Sequence, residues 1–176
     1  MKQNKKNNII LIGCMGSGKT VIGKNVAKQL GYIFADTDEM ISEVTNLSLP
    51  KLFHKHGEIR FRSEERLILQ KLAQKQEQVI AWGGSLPPDQ KDIDLLDPGF
   101  FVFVKASPRT ILSRISRKND RLIIGGKPTE ESILSMLEQR FSVFESKIAY
   151  TVDTDQFTVE EAAERIVTAY QRNTEE

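Results

Sequence analysis

A glycine-rich turn near the start of the chain restricts its fold more than any other feature. Residues 9–12 are an unbroken apolar run, Ile-Ile-Leu-Ile, leading into Gly13-Cys14-Met15-Gly16-Ser17-Gly18-Lys19-Thr20, a match to G-x-x-x-x-G-K-[ST]. Beyond the turn, Ile22, Val26 and Leu30 recur at i, i+4 and i+8, the period of a helix with one buried stripe. A strand, this loop and a helix in that order are the context that distinguishes a P-loop from a glycine turn with a chance lysine. Glycines let successive backbone N–H groups converge on phosphate oxygens where a Cβ would stand in the way. The helix turns its positive end toward the same anion. Nucleotide contacts are therefore expected from Gly13, Met15, Gly16, Ser17, Gly18, Lys19 and Thr20. Lys19 reaches the β- and γ-phosphates, and the Thr20 hydroxyl ligates Mg²⁺. Cys14 reads as a small residue filling the loop.

The rest of the chain repeats the strand-then-helix rhythm. Residues 32–35, 79–82, 100–104 and 150–152 are short and apolar, and such unbroken runs suit parallel strands covered on both faces. Residues 58–74 bring Phe61, Glu65, Ile68 and Leu72 together in helical projection. Ser107-Pro108 opens a further helix, and Thr158-Val-Glu-Glu161 is a capping box ahead of the last one. The alternation predicts a three-layer α/β domain with a mostly parallel sheet. Residues 1–8, basic and polar, read as a disordered tail, and residues 9–172 as one domain. Residues 117–129, "RKNDRLIIGGKPT", break the rhythm and read as a mobile lid.

Bulk properties narrow the partners. The 176 residues carry 25 basic and 24 acidic side chains, a net charge of +1, which provides no field for nucleic acid or an anionic membrane. No apolar run approaches the ~18–20 residues of a membrane span. A single cysteine excludes an intrachain disulfide and fits a reducing compartment. The expected location is the cytoplasm.

A P-loop does not identify the acceptor. Asp36 and Asp38, in "FADTDEM", follow the second strand, at the strand ends where open α/β sheets bind ligands. One carboxylate can order a metal-bound water while the other accepts a proton from a substrate hydroxyl. Alternatively, the aspartate simply caps the helix that follows. His54 and His56 lack clustered partners and read as helix-end surface residues.

Together with the P-loop and "DTD", the stretch "GEIRFRSEE" resembles shikimate kinase. Gly57, Glu58, Phe61, Arg62 and Glu65 match its G-E-x-x-F-R-x-x-E pattern. Trp82-Gly83-Gly84-Ser85 falls at the family's glycine turn, Arg114 and Arg121 follow in order, and "QRFSVFESKIAYTVDT" resembles its late arginine segment. The resemblance implies a magnesium-ATP kinase that phosphorylates the 3-hydroxyl of shikimate in aromatic amino acid synthesis, with a sheet of order 2-3-1-4-5. It implies shikimate contacts at Asp38, Arg62, the Gly83-Gly84 backbone and Arg140. Asp36 would stand near the metal and Glu65 would brace Arg62. Arg114 would lie along the nucleotide and Arg121 would offset charge on the moving phosphoryl group. Lys19, Asp38 and Arg121 would then carry catalysis, and monomers are usual in such a family.

The chain departs from the pattern at several points. Ser85 replaces a third glycine, Trp82 stands where a small residue is usual, the lid reads Arg-Leu-Ile without proline, and Phe144 replaces tyrosine. No basic residue in "DTDQFTVEE" matches the one expected near adenine. Two alternatives stay open: a related small-metabolite kinase, of gluconate or nucleoside monophosphate type, and a catalytically weak nucleotide-binding homologue.

Overall fold

All four residues of β1 (Ile9–Ile12) are buried, which a strand tolerates only when helices cover both of its faces. In the computed structural model, which describes residues 7–116 and 127–175, β1 is accordingly the central strand. The others are β2 (Ile33–Asp36), β3 (Gln78–Ala81), β4 (Phe100–Lys105) and β5 (Ile148–Asp153). All pairings are parallel, in the order β2-β3-β1-β4-β5, as the resemblance implies. The helices are α1 (Lys19–Leu30), α2 (Thr37–Thr45), α3 (Leu49–Ala73), α4 (Gln90–Leu95), α5 (Pro108–Ser116), α6 (Glu130–Phe144) and α7 (Val159–Glu175).

Alternate strand residues feed two cores. Ile10, Ile12, Ile80, Phe101 and Phe103 meet Phe61, Ile68, Leu69 and Leu72 of α3 and Phe144 of α6. Ile9, Leu11, Val79, Val102 and Val104 meet Ile22 and Val26 of α1 and Ala162, Ala163 and Ile166 of α7 on the opposite face. Each buried isoleucine or leucine contributes roughly 1.5–3 kcal/mol, so the central strands anchor both layers. A third cluster of Cys14, Met15, Ile111, Ile115 and Ile133 backs the phosphate loop with α5 and α6. In-phase parallel pairing, Asp36 beside Ala81 and Ile12 beside Phe103, brings the carboxyl ends of the strands to one edge. That edge holds the site.

Several local expectations hold. Thr158 and Glu161 form the capping box of α7 reciprocally, at 2.9 and 3.2 Å, and Ser107 Oγ accepts from Thr110 N at 3.2 Å. Asn7 and Asn8, expected in the frayed tail, are instead tied to the fold. The Asn8 side chain bridges Lys75 O and Gln78 N, and Asn7 O accepts from the Tyr170 hydroxyl at 2.8 Å. The expected helix over residues 58–74 is the second half of α3, which begins at Leu49 and breaks at Gly57 (φ 79°, ψ 178°). Most of the expected lid, Arg121 included, lies outside the described residues. At its end, Thr129 caps α6 in a reciprocal box with Ser132.

Candidate active site

The phosphate loop spans the turn from β1 to α1, and Gly18 caps the helix at φ 104°, a left-handed conformation that costs glycine little. Lys19 is buried with its ammonium curled onto its own loop. Nζ donates to Gly13 O at 2.9 Å and Cys14 O at 2.8 Å. Burial, with Arg140 adding to it, pulls its pKa down to about 8. A phosphate would give this ammonium anionic oxygens in place of the two carbonyls. Cys14 is buried and its thiol is pushed up by desolvation, an inert filler as expected.

Met15, Gly16, Ser17, Gly18, Lys19 and Thr20 line a cleft of about 830 Å³, and Asp36, Asp38, Gly83 and Gly84 line its other side. Thr20 Oγ1 donates to Asp36 Oδ2 at 2.7 Å, while Asp36 Oδ1 accepts from the backbone N–H groups of Asp38 and Glu39 at 3.0 and 3.3 Å. The helix-cap reading of this aspartate is therefore met by one oxygen, and the other faces the phosphate-loop threonine. A hydroxyl and a carboxylate oxygen side by side at the phosphate loop are hard donors of the kind Mg²⁺ takes when phosphates and water complete its shell. Among the described residues no cluster of three or more His, Cys, Asp or Glu forms a metal cage, and His54 and His56 are exposed on α3.

The glycine turn after β3 packs tightly against both the phosphate loop and Asp38. A Cβ on Gly84 would stand 2.4 Å from Met15 N and 2.7 Å from Gly13 O, and one on Gly83 would stand 2.0 Å from Asp38 Oδ1. Gly83 N donates to Thr37 Oγ1 at 2.8 Å and Gly83 O accepts from Arg140 Nη2. The polar groups of Gly83 thus serve the fold.

Three charged residues meet behind this turn. Arg140 is buried, and its Nη1 donates to Leu86 O at 2.6 Å; burial holds the guanidinium below its ordinary pKa, with Glu65 the main opposing influence. Arg62 pairs with Glu58 at 3.3 Å and lines a groove on the outer side of α3, not the main cleft. Glu65 accepts from Trp82 Nε1 at 3.3 Å. Burial raises Glu65 to about 7, while Arg140 and Arg62 pull it back and Asp38 pushes it up. Arg62 Nη1, Arg140 Nε and Glu65 Oε1 are buried without a hydrogen-bond partner.

Arg114 was expected along the nucleotide. Its Nη1 donates to Gly16 O (3.0 Å), Ser17 O (3.2 Å) and Thr154 Oγ1 (3.3 Å), bracing the phosphate loop from the side. Thr154, Phe157 and Val159, which were not singled out in the sequence, line the same end of the cleft. Their signal was their place just past the carboxyl end of β5. Trp82 and Phe144, two of the departures from the family pattern, are both buried and meet edge-to-face at 5.3 Å.

The family model for shikimate kinase matches residues 15–171. The chain is 37% identical to the shikimate kinase of Thermodesulfovibrio yellowstonii over 166 residues, covering 94% of this chain and 95% of that one. It is likewise 37% identical to that of Caldanaerobacter subterraneus over 164 residues, with 93% and 95% covered. Among solved structures, shikimate kinase from Acinetobacter baumannii in complex with shikimate superposes with a TM-score of 0.88 at 29% identity, over 97% of this chain and 96% of that one. A gluconokinase from Sinorhizobium meliloti superposes at 0.62 and 20% identity, over 97% and 95%, a likeness of fold alone.

Proposed function

The chain belongs to the shikimate kinase family and phosphorylates shikimate with ATP, and we propose that Lys19, Asp38, Arg62 and Arg140 carry that transfer to the 3-hydroxyl. The observation that supports this most is the Gly83-Gly84 turn. It leaves no room for a Cβ against either the phosphate loop or the Asp38 carboxylate, so the nucleotide's tail and the acceptor's hydroxyl share one rigid wall.

On this reading the phosphate-loop N–H groups grip the nucleotide, and Lys19 exchanges the carbonyls of Gly13 and Cys14 for phosphate oxygens. Thr20 and Asp36 would hold Mg²⁺, which when bound neutralises phosphate charge. Asp38, lining the same cleft, accepts the proton of the attacking hydroxyl. The partnerless nitrogens of Arg62 and Arg140 suit a carboxylate, because two guanidinium forks offer it directed donors at fixed geometry. Glu65, buried and electrostatically coupled to both arginines, braces them. Arg114 contributes indirectly by holding the loop, and the resemblance alone assigns Arg121 to the transferring group. Catalysis is then positioning and electrostatics with no covalent intermediate. Among the described residues, no helix is long and apolar enough to cross a membrane; we take the monomer as the working unit.

The test is a steady-state comparison of two variants in a coupled ADP-release assay. Asp38→Asn retains nucleotide binding and loses roughly 10²–10⁴-fold in kcat, whereas Arg62→Ala raises the shikimate KM far more than the ATP KM. Wild-type turnover in the first, or equal effects on both substrates in the second, removes the corresponding role.

A further inference from the structure

The one tryptophan of the chain stands where the family pattern has a small residue, and none of the roles above employs it. Trp82 follows β3 directly and is fully buried. Its Nε1 donates to Glu65 Oε2 at 3.3 Å. Its ring meets Phe144 at 5.3 Å between centroids and 78° between planes, an edge-to-face arrangement. Both attachments lead to the same place. Glu65 lies three residues after Arg62 on α3, and Phe144 lies four residues after Arg140 on α6, about one helical turn in each case.

We propose that Trp82 is a positioning residue for the acid-binding arginines: its indole N–H fixes the Glu65 carboxylate and its ring seats α6 at Phe144, so that Arg62 and Arg140 face one shared anion. This rests on the reading of those arginines as the acceptor's carboxylate clamp.

The chemistry is directional. Indole N–H is a donor only, and an ionised carboxylate an acceptor only, so the bond ties down Oε2, while Oε1 stays buried without a hydrogen-bond partner. Arg62 from its own helix, Arg140 from α6, Asp38 from α2 and Trp82 at the end of β3 bear on Glu65, and Arg66 couples to it from the next position on α3. The first two and the indole favour the charged carboxylate; burial and Asp38 disfavour it. The balance leaves Glu65 titrating at about 7, so losing one hydrogen bond to its charged form has a visible consequence at working pH.

The experiment measures kcat/KM for shikimate against pH in the wild type, Trp82→Phe and Glu65→Gln. Phenylalanine keeps a ring against Phe144 and deletes the N–H. With the charged form less favoured, the acid limb moves to higher pH by about half to one unit. The shikimate KM rises several-fold near neutrality and approaches the wild-type value toward about pH 9, and the ATP KM stays in place. Glu65→Gln abolishes the limb. An acid limb that stays where the wild type has it, with any loss of activity equal at every pH, overturns the proposal, since a merely structural role acts that way. A second readout needs no variant of Trp82. Emission from the sole tryptophan of the native protein shifts with a midpoint near the Glu65 value of about 7, and Glu65→Gln loses that transition; flat emission across the range overturns the proposal even if Trp82→Phe does not fold. Arg62→Ala in the same assay separates the two failures. If it leaves the shikimate KM unchanged, the clamp fails and this proposal with it. If it raises that KM while Trp82→Phe moves nothing, only the role of Trp82 is lost.

Discussion

Asp36 divides its two oxygens between two jobs, a helix cap and, as we propose, a share in the cation site. Oδ1 caps α2 through the N–H groups of Asp38 and Glu39, and Oδ2 holds the Thr20 hydroxyl at 2.7 Å. The division makes the jobs separable by one substitution. Asn caps a helix as well as Asp does, but offers Thr20 and a cation no negative charge. Asp36→Asn is therefore expected to keep its melting temperature within a few degrees of wild type, while the Mg²⁺ concentration for half-maximal rate rises roughly 10–100-fold. An unchanged Mg²⁺ requirement would remove Asp36 from the cation site. From the sequence, cap and metal were rivals for this pair, because a string of letters does not show which way each oxygen points. Lys19 shows the same gap. Its spacing in the loop points to phosphate as its partner, yet nothing in the spacing indicates that it also donates to the carbonyls of Gly13 and Cys14. Arg62 was legible as an arginine in the right pattern, but its pairing with Glu58 on the outer side of α3 was not.

At the scale of elements, α3 carries most of the acceptor side we propose. Its second half presents Phe61, Ile68 and Leu72 to the core and so aims Arg62 and Glu65 from adjoining positions. The period of those apolar residues made this half readable in the sequence. Leu49 to His56 hid its helix, since among these residues only Leu52 is fully buried and the break at Gly57 interrupts the phase. Helix α4 escaped for a similar reason, being short, with only Asp92 and Ile93 buried. The break itself demands glycine through the backbone alone. A Cβ at Gly57 would touch nothing within 4 Å, yet φ 79° with ψ 178° is a region that side chains avoid at a cost of about 1–3 kcal/mol. Gly57→Ala should lower stability by that amount in urea unfolding with an unchanged m-value. It should also raise the shikimate KM, because straightening the break swings Arg62 and Glu65 together. A loss below about 0.5 kcal/mol would mean the chain reaches the same geometry without this conformation.

Over the whole molecule, strand–helix alternation around one phosphate loop made the parallel three-layer sheet the most legible level, while its strand order came from the family resemblance. The central strands are uniformly apolar, and right-handed crossovers leave few topologies. What the alternation does not carry is the electrostatic cost of the folded site, which appears only once burial is known. Glu65 binds its proton more tightly folded than unfolded, its pKa rising from 4.5 to about 7. Stability from this group is therefore complete below about pH 4.5 and is lost as pH climbs through about 7, an amount on the order of 3 kcal/mol. Gln at this position keeps an oxygen for the Trp82 N–H and never ionises, so it escapes that loss. Glu65→Gln is expected to melt close to wild type near pH 5 and roughly 5–10 °C above it near pH 8, in the absence of ligands. The same variant surrenders the carboxylate between the two arginines and with it most of the shikimate affinity. Parallel melting curves for the two proteins across that pH range would contradict the buried, proton-hungry Glu65. Divergence in the stated direction would identify the acid site as a place where the free enzyme gives up stability so that its arginines remain charged and aimed.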